Sequence, residues 1–334
     1  MSTNWDSFVH SQARAHILQL SAWGTLKSAF GWSATQVEIN DNGHIIAGAQ
    51  ILFRSLPFHL GTMAYIPMAP YIKHNTPDTE KHLWNLIDTE AKKHGARFLK
   101  WEPGIYLPED EQPDFKRLGF HPSPQTVQPP RTVLIDIRGD DDTILSRMNQ
   151  GTRRKIRTGE KKGVRFYQGS REDVTKFTRM MNTTGTRNEF GVHQPEYYEK
   201  AFELFPDDAA LFLAEHEGDD LAGIMVFALG RYAIYLYGAS SNIKRNLMAT
   251  YGIQWEAIQW ARQRGCIYYD MWGIPDEDET TLEAEFENRS DGLWGVYGFK
   301  RGWGGEVVRS LGAWDKVYNP FVYNAYKLAL RTRG

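Results

Sequence analysis

Lys300 and Arg301 stand side by side in a stretch rich in glycine and tryptophan, residues 291–305 (DGLWGVYGFKRGWGG). Glycines let a backbone approach a ligand closely and permit positive φ. A cation at such a turn can meet an anion or a negative charge that develops during reaction. The same letters also describe a bulged hairpin with a solvated cationic tip. Two carboxylates accompany the cations: Glu102 closes the strand-like phrase RFLKWEP and Asp270 lies in CIYYDMWGIP. A carboxylate at a strand end can hydrogen-bond an incoming amine or act as its base, or simply anchor a loop. Tyr235 and Tyr237 alternate in YLYGASS, which places both on one side of a strand.

A further cluster is electrostatic. Nine cations occur between Arg147 and Arg171 against one acid, Glu160, in a protein whose net charge is only −2. Arg153, Arg154, Lys155, Arg157, Lys161 and Lys162 form its centre, and such a patch can pair with phosphates. No aromatic residue lies between Met148 and Val164, which favours backbone contact to a folded RNA over base stacking. The alternative is a solvated helix face.

Composition removes several functions. With a hydrophobic fraction of 41% and a charged fraction of 24%, the chain reads as globular, and its length suits two domains. Cys266 is the only cysteine, so no intrachain disulfide or multi-cysteine metal site can form. The ten histidines form no HxH or HxxxH pair, and we expect no metal. The start, MSTNWDSFVH, lacks a signal-peptide layout. The apolar run 221–239 is broken by Gly230-Arg231 and reads as two strands rather than a membrane span. These features predict a cytoplasmic protein.

The elements that must position these residues recur. Helical patterning over 5–30 is followed by strands TQVEI, IIAGAQILFRSL and TMAYIPMAP, a helix over 79–94 capped by Gly95, and RFLKWEP. The second half repeats this order with LFLAEHEG, DDLAGIMVFAL, AIYLYGASS, a helix over 252–264 capped by Gly265, and CIYYDMWGIP. Ala47-Gly48 recurs 175 residues later, Gly95 after 170, and Phe115-Lys116-Arg117 returns after 184 as Phe299-Lys300-Arg301. Landmarks in one order at near-constant offset argue a duplication. Each copy resembles the GNAT acyltransferase fold, so the expected class is α/β with mixed sheets: tandem GNAT-like domains over 1–130 and 131–313, the first completed by a C-terminal helix over 314–334. The shared FKR phrase reads as part of the fold. The glycine-rich turn found only in the second copy marks Lys300, rather than Lys116, as the working lysine.

A GNAT fold that uses acyl-CoA cradles the pyrophosphate on a glycine-containing loop at a helix N-terminus. Here that place reads KRNLMAT (244–250), with Met248 where the first glycine belongs, and HNTPDTEKH in the first copy. No cradle is intact, which speaks against acetyl-CoA.

The phrases WGTLKSAFGW, AYIPMAP, RRKIRTGEKKGV, GTRNEFGVHQPEYY, YLYGASS, QWEAIQWARQRGCIYYDMWGIP and GVYGFKRGWGG together resemble the Fem-type (FemABX) peptidoglycan-bridge aminoacyltransferases over nearly the whole chain. The resemblance implies transfer of an amino acid from aminoacyl-tRNA to an amino group on a peptidoglycan precursor's stem peptide, without a cofactor. It implies that Lys300 acts at the reacting carbonyl or leaving oxygen and that Glu102 matches an acidic position at the precursor site. It offers Lys27, Arg187, Tyr198, Tyr235 and Tyr237 as holders of the precursor's diphosphate, sugar or peptide, and we count Asp270 and Phe299 among the substrate-binding residues. It makes the basic run the tRNA-binding surface. Departures leave the precursor UDP-linked or lipid-linked: Gln194 stands where some relatives carry a cation, and Thr25, with Lys27 two residues on, where some carry a lysine. A lipid-linked precursor would bring peripheral contact with the inner face of the membrane. No heptad run predicts a long coiled-coil arm. Competing readings are an acyl-CoA-dependent N-acyltransferase of a cell-envelope sugar and a non-catalytic tRNA- or glycan-binding module.

Overall fold

The computed structural model describes residues 4–107, 113–188 and 191–331. In chain order it contains α1 (Asn4–His10), α2 (Ser21–Ser28), β1 (Trp32–Asp41), β2 (His44–Ser55), β3 (Thr62–Pro67), β4 (Tyr71–Ile72), α3 (Pro77–Lys93), β5 (Ala96–Glu102), β6 (His121–Pro122) and β7 (Arg131–Asp136). Next come α4 (Asp141–Arg147), α5 (Gln150–Lys161), β8 (Arg165–Gly169), α6 (Val174–Asn188), α7 (Pro195–Leu204), β9 (Ala209–His216), β10 (Asp219–Leu229) and β11 (Tyr232–Ser240). The chain ends with α8 (Ala249–Gln263), β12 (Tyr268–Gly273), α9 (Glu279–Glu285), α10 (Trp294–Lys300), β13 (Glu306–Arg309), β14 (Trp314–Val317) and α11 (Pro320–Arg331). Two compact units result, Met1–Pro130 with Arg309–Gly334, and Arg131–Val308.

The local signals act as their chemistry dictates. In α3 the Thr76 side chain accepts the Thr79 N–H, Pro77 opens the helix, Asp78 and Glu80 occupy its first turn, and Lys92 and Lys93 its last. Each choice suits the orphaned amides and the helix dipole. Leu83, Trp84, Ile87 and Ala91 are its buried face. Asn149 caps α5 in the same way, accepting the Thr152 N–H at 2.7 Å. At 17 residues, α3 is the longest helix among the described residues.

The two sheets share one plan. The first runs β1-β2-β3-β5-β14-β6, with β4 paired to β2, and the second runs β8-β9-β10-β11-β12-β7-β13. In each, an antiparallel meander leads to a central parallel pair, β3 with β5 and β11 with β12. In each, an antiparallel strand follows: β14 beside β5, and β7 beside β12. The first unit thus takes from the end of the chain the strand that the second unit takes from its own start.

Two expectations change here. Residues 314–317 are not the start of a helix but strand β14, and α11 begins only at Pro320; residues 332–334 lie outside the described residues. The reason is Asp315, which is completely buried. It receives Lys100 Nζ from β5 at 3.0 Å, the Ser123 hydroxyl at 2.6 Å and the Tyr323 hydroxyl at 2.8 Å. A buried carboxylate needs this many donors, and only a strand beside β5 supplies them. Residues 291–305 do not form a hairpin either. Trp294 and Tyr297 are buried with Lys300 on one side of α10, a single 3₁₀ turn follows, and Gly304 in the left-handed region ends it.

The Lys100–Asp315 pair generates a prediction. Asp315→Ala leaves a buried ammonium uncompensated and lowers stability by about 3–5 kcal/mol in urea unfolding. The double change Lys100→Met with Asp315→Leu costs far less.

Candidate functional site

In the second unit the site arises where the sheet parts. The parallel ladder between β11 and β12 covers three residue pairs, Tyr232–Ile234 against Tyr268–Asp270, and then stops. Immediately beyond, β11 carries a bulge: Val226 faces Tyr235, but its neighbour Met225 faces Tyr237, leaving Leu236 extra. A bulge inverts the alternation of side chains. Tyr235 and Tyr237 therefore point to opposite faces, contrary to the alternation read from YLYGASS. Tyr235 packs with the core under α8. Tyr237 meets Tyr198 edge-on at 5.3 Å, Phe227 at 6.2 Å and the Tyr197 hydroxyl at 3.3 Å. His193 joins this second group, its ring stacked on Tyr197 at 3.7 Å, and its backbone N–H donates to the Tyr198 hydroxyl.

Strands β10 and β11, the start of α8 and one side of α10 enclose a cleft of about 570 Å³, lined among others by Arg187, Tyr235, Met248, Tyr251, Gln254 and Phe299. Lys300 lies beneath the Tyr235 ring, its Nζ 5.7 Å from the ring centre. Its amine donates to the carbonyl oxygens of Trp272 (3.1 Å) and Gly273 (2.7 Å), just past the end of the ladder. Burial pulls Lys300 down to about 7, opposed by the charge of Asp270. Asp270 accepts the Thr132 hydroxyl at 2.5 Å and the Trp272 N–H at 2.7 Å, and burial raises its own pKa. Two of the amine's positions are thus spent on carbonyls. The third is an N–H when Lys300 is protonated and a lone pair when it is not, and near neutral pH both forms are populated.

Gln254 lines the cleft and is tied to the buried Tyr269 behind it. The Tyr269 hydroxyl donates to Gln254 Oε1 at 2.6 Å. Gln254 Nε2 is buried beside the Tyr235 hydroxyl, which burial pushes up to about 12, yet makes no well-formed hydrogen bond among the described residues. Sequence reasoning passed over Gln254, although a signal existed. It shares a helical stripe with the buried Ala257, Ile258 and Ala261, and a glutamine on an apolar stripe calls for a partner. Arg187 is drawn into the cleft wall, donating to the Ser240 carbonyl and the Asn242 side chain. Met248 sits in the left-handed region at the start of α8, with a side chain where a phosphate cradle would need none. Arg301 is bound to Glu283 and lies over Phe286 at 4.2 Å, so it holds α10 to α9.

The basic run divides. Lys155 Nζ binds the Tyr251 hydroxyl at 3.1 Å, and Arg153 caps the carbonyls of Leu145 and Met148. Lys162 reaches the Asn246 carbonyl at 3.4 Å. Arg154, Arg157 and Lys161 are exposed and, with Arg153, line a concavity of about 720 Å³ along α5.

In the first unit, the β3–β5 ladder continues to Pro67 opposite Glu102, so these two strands stay paired over six residue pairs. Glu102 is buried, and burial raises its pKa against its hydrogen bonds. It receives the Tyr65 hydroxyl and the backbone N–H groups of Val127 (2.5 Å) and Gln128 (3.1 Å). Tyr65 in turn packs against Trp32 at 6.3 Å. Lys27 and Arg54 both lie over the Trp32 ring, at 6.0 and 5.3 Å. Burial, and then the charge of Arg54, pull Lys27 down to about 8. Trp32, the last residue of WGTLKSAFGW, and Arg54, which belonged to no motif, thus join Lys27. Lys116 is exposed on a 3₁₀ turn whose Phe115 is buried, and its neighbour Arg117 pairs with Glu80. Among the described residues, no cluster of metal-ligating side chains occurs and no helix is long and apolar enough to cross a membrane.

Two mixed sheets of one plan, each with helices on its faces, define a tandem GNAT-like acyltransferase fold. A tandem GNAT protein from the clavulanic acid biosynthesis pathway superposes with a TM-score of 0.54 at 11% identity, over 96% of this chain and 98% of that one. Agreement is greater with the crystal structure of FemX: TM-score 0.85, 23% identity, 97% of this chain and 98% of that one. The sequence model of the FemAB family matches residues 1–220 and 215–331, and the chain belongs to that family. It is 24% identical over 391 aligned residues to the lipid II:glycine glycyltransferase of Staphylococcus epidermidis, covering 96% of this chain and 92% of the relative.

Lys300 also makes stability depend on pH. Its folded pKa lies below that of an unfolded lysine, so between about 7 and 10.4 the unfolded chain binds more protons and stability rises with pH. Lys300→Met removes this dependence. The wild type gains on the variant by up to about 1.4 kcal/mol per pH unit as pH rises above 7, measured by urea unfolding at several pH values.

Proposed function

We propose that the protein is an aminoacyltransferase that moves an amino acid from aminoacyl-tRNA to an amine on the stem peptide of a lipid-linked peptidoglycan precursor. The observation that carries this reading is a buried lysine of pKa about 7, fixed by two backbone carbonyls behind the Tyr235 ring that lines a GNAT-type cleft whose phosphate loop has Met248 in place of glycine. Family membership and a relative named for lipid II as acceptor support it.

In the reaction the acceptor amine attacks the ester carbonyl, a C–N bond forms, and the bond to the ribose oxygen breaks. The attacking nitrogen must lose a proton and the leaving oxygen must gain one. Neutral Lys300 takes the first proton on its free lone pair and, as the ammonium, donates to the oxyanion and then to the leaving oxygen. Tyr235, Gln254 and Phe299 shape the cleft for the aminoacyl end. The exposed cations Arg154, Arg157 and Lys161 meet the tRNA backbone. Lys27 and Arg54 hold the precursor's diphosphate. Glu102, with its oxygens committed to Tyr65 and the 127–128 backbone, positions the loop beside the acceptor rather than taking its proton.

Incubation with lipid-linked precursor and a mixture of charged tRNAs should add the mass of one amino acid to the precursor; saturable use of acyl-CoA instead would overturn the donor assignment. Lys300→Ala should lower turnover by roughly 10²–10³ with precursor binding retained. A rate limb near pH 7 should disappear in that variant, while the limb of the acceptor amine stays. Reversing Arg154, Arg157 and Lys161 to glutamate should raise KM for the charged tRNA and flatten its salt dependence, with little change in kcat.

A further inference from the structure

At one end of the first unit's sheet, β1 begins, β2 ends, β3 and β5 begin, and β14 ends. Backbone bonds lock the connections there together. Leu56 N–H donates to the Gly61 carbonyl (2.8 Å) and Thr62 N–H to that of Gly95 (3.1 Å), and the Arg97 carbonyl receives the N–H groups of both Tyr318 (2.9 Å) and Asn319 (2.8 Å). Arg97 Nε returns to the Leu60 carbonyl at 2.9 Å. These bonds tie the loop between β2 and β3 to the start of β5 and, through Arg97, to the start of α11, and the turn before β1 lies at the same end because Trp32 pairs with Arg54.

The loop, the turn and the start of α11 all present large apolar side chains to solvent. Phe58 is 90% exposed, Phe321 88%, Leu60 40% and Phe30 37%. Four of the nine large hydrophobic residues exposed among the described residues therefore lie at one end of one sheet. Leu328, two turns along α11 on the face of Phe321, is 64% exposed. The backbone adds a second cost, because Phe58 and His59 lie consecutively in the left-handed region. A non-glycine residue there is strained, and here the strain holds a phenylalanine out in water. Such protruding tips suit insertion into a soft apolar phase better than packing on a flat partner.

The carboxylates around these tips are paired, which leaves a surplus of positive charge. Asp88 is taken by Lys316 and Tyr318, and Glu90 by Lys93 and His94. Arg54, Lys92 over the Tyr318 ring at 5.6 Å, and Arg97 remain at the rim. Lys27 lies at the same end, beside Arg54. We propose that this end of the first unit is a membrane-docking surface: Phe30, Phe58, Leu60 and Phe321 enter the interface of an anionic bilayer, and Lys92 and Arg97 meet its head groups. The inference rests on the lipid-linked acceptor proposed above. It sets the cations assigned to the diphosphate at the depth where a lipid carries that group.

The test is co-sedimentation of the full chain with vesicles of phosphatidylcholine and phosphatidylglycerol, alongside transfer to a soluble precursor lacking the prenyl chain. The wild type should bind these vesicles, less tightly at high salt, and pure phosphatidylcholine only weakly. Phe58→Ser with Phe321→Ser should weaken binding by roughly a hundredfold, about tenfold for each phenylalanine, with melting temperature and soluble transfer unchanged. Phe58→Cys carrying an environment-sensitive dye should shift to the blue on vesicles, which reads insertion without the double variant. The proposal is overturned if the wild type does not bind, if the double variant binds as well as the wild type, or if the two substitutions instead dissolve a dimer. Failure of soluble transfer in the wild type, with vesicle binding still lost in the variant, removes the acceptor assignment and leaves the surface standing.

Discussion

Everything distinctive about the second unit follows from the early parting of β11 from β12. A parallel ladder that stops after three pairs leaves backbone carbonyls at Trp272 and Gly273 that need donors, and a low-dielectric gap that must be filled. The bulge at Leu236 turns Tyr235 into that gap and Tyr237 away from it. Gly238 makes the turn-in feasible, because a Cβ there would lie 1.9 Å from the Tyr235 hydroxyl. Lys300 supplies the donors. Its proton affinity is a consequence of where the sheet opens.

The first unit shows the same plan without the opening. Its parallel ladder runs on to Glu102, and its own buried lysine, Lys100, is neutralised by Asp315 and tied to Ser123 and the Gln125 carbonyl. The two lysines separate structure from chemistry. One is paired with a carboxylate that fixes a strand, the other is held by neutral carbonyls and left able to exchange a proton. Duplication supplied two sheets, and divergence assigned donor chemistry to one and acceptor handling to the other in our reading.

Much of this was legible in the sequence, because repeats, caps and amphipathic periods are local or regularly spaced. The order of strands and helices in both copies and the helix carrying Leu83, Trp84, Ile87 and Ala91 rest on such signals. Three features did not show. The bulge depends on the register of β10, so YLYGASS read alone alternates wrongly. Residues 314–317 look helical beside NPFVYNAYKLALR until Lys100, over 200 positions earlier, claims Asp315. The stretch 291–305 reads as a hairpin by glycine content, but burial of Trp294, Tyr297 and Lys300 winds it into α10. The basic run was visible as charge, whereas its division into exposed Arg154, Arg157 and Lys161 and the locally tied Arg153 and Lys155 depends on what α5 packs against.

The place of β14 has a consequence for how the protein is made. The second unit draws all its strands from one contiguous stretch, but the first lacks an inner strand until residues 314–317 have been translated. Domains commonly mature in the order of synthesis. Here the order is reversed: on the ribosome the first half must wait with the edge of β5 open and Lys100 unpaired while the second half, emerging later, closes first. The nascent chain therefore carries its exposed sheet edge longest at the end made earliest, until residues 314–317 emerge and close that sheet.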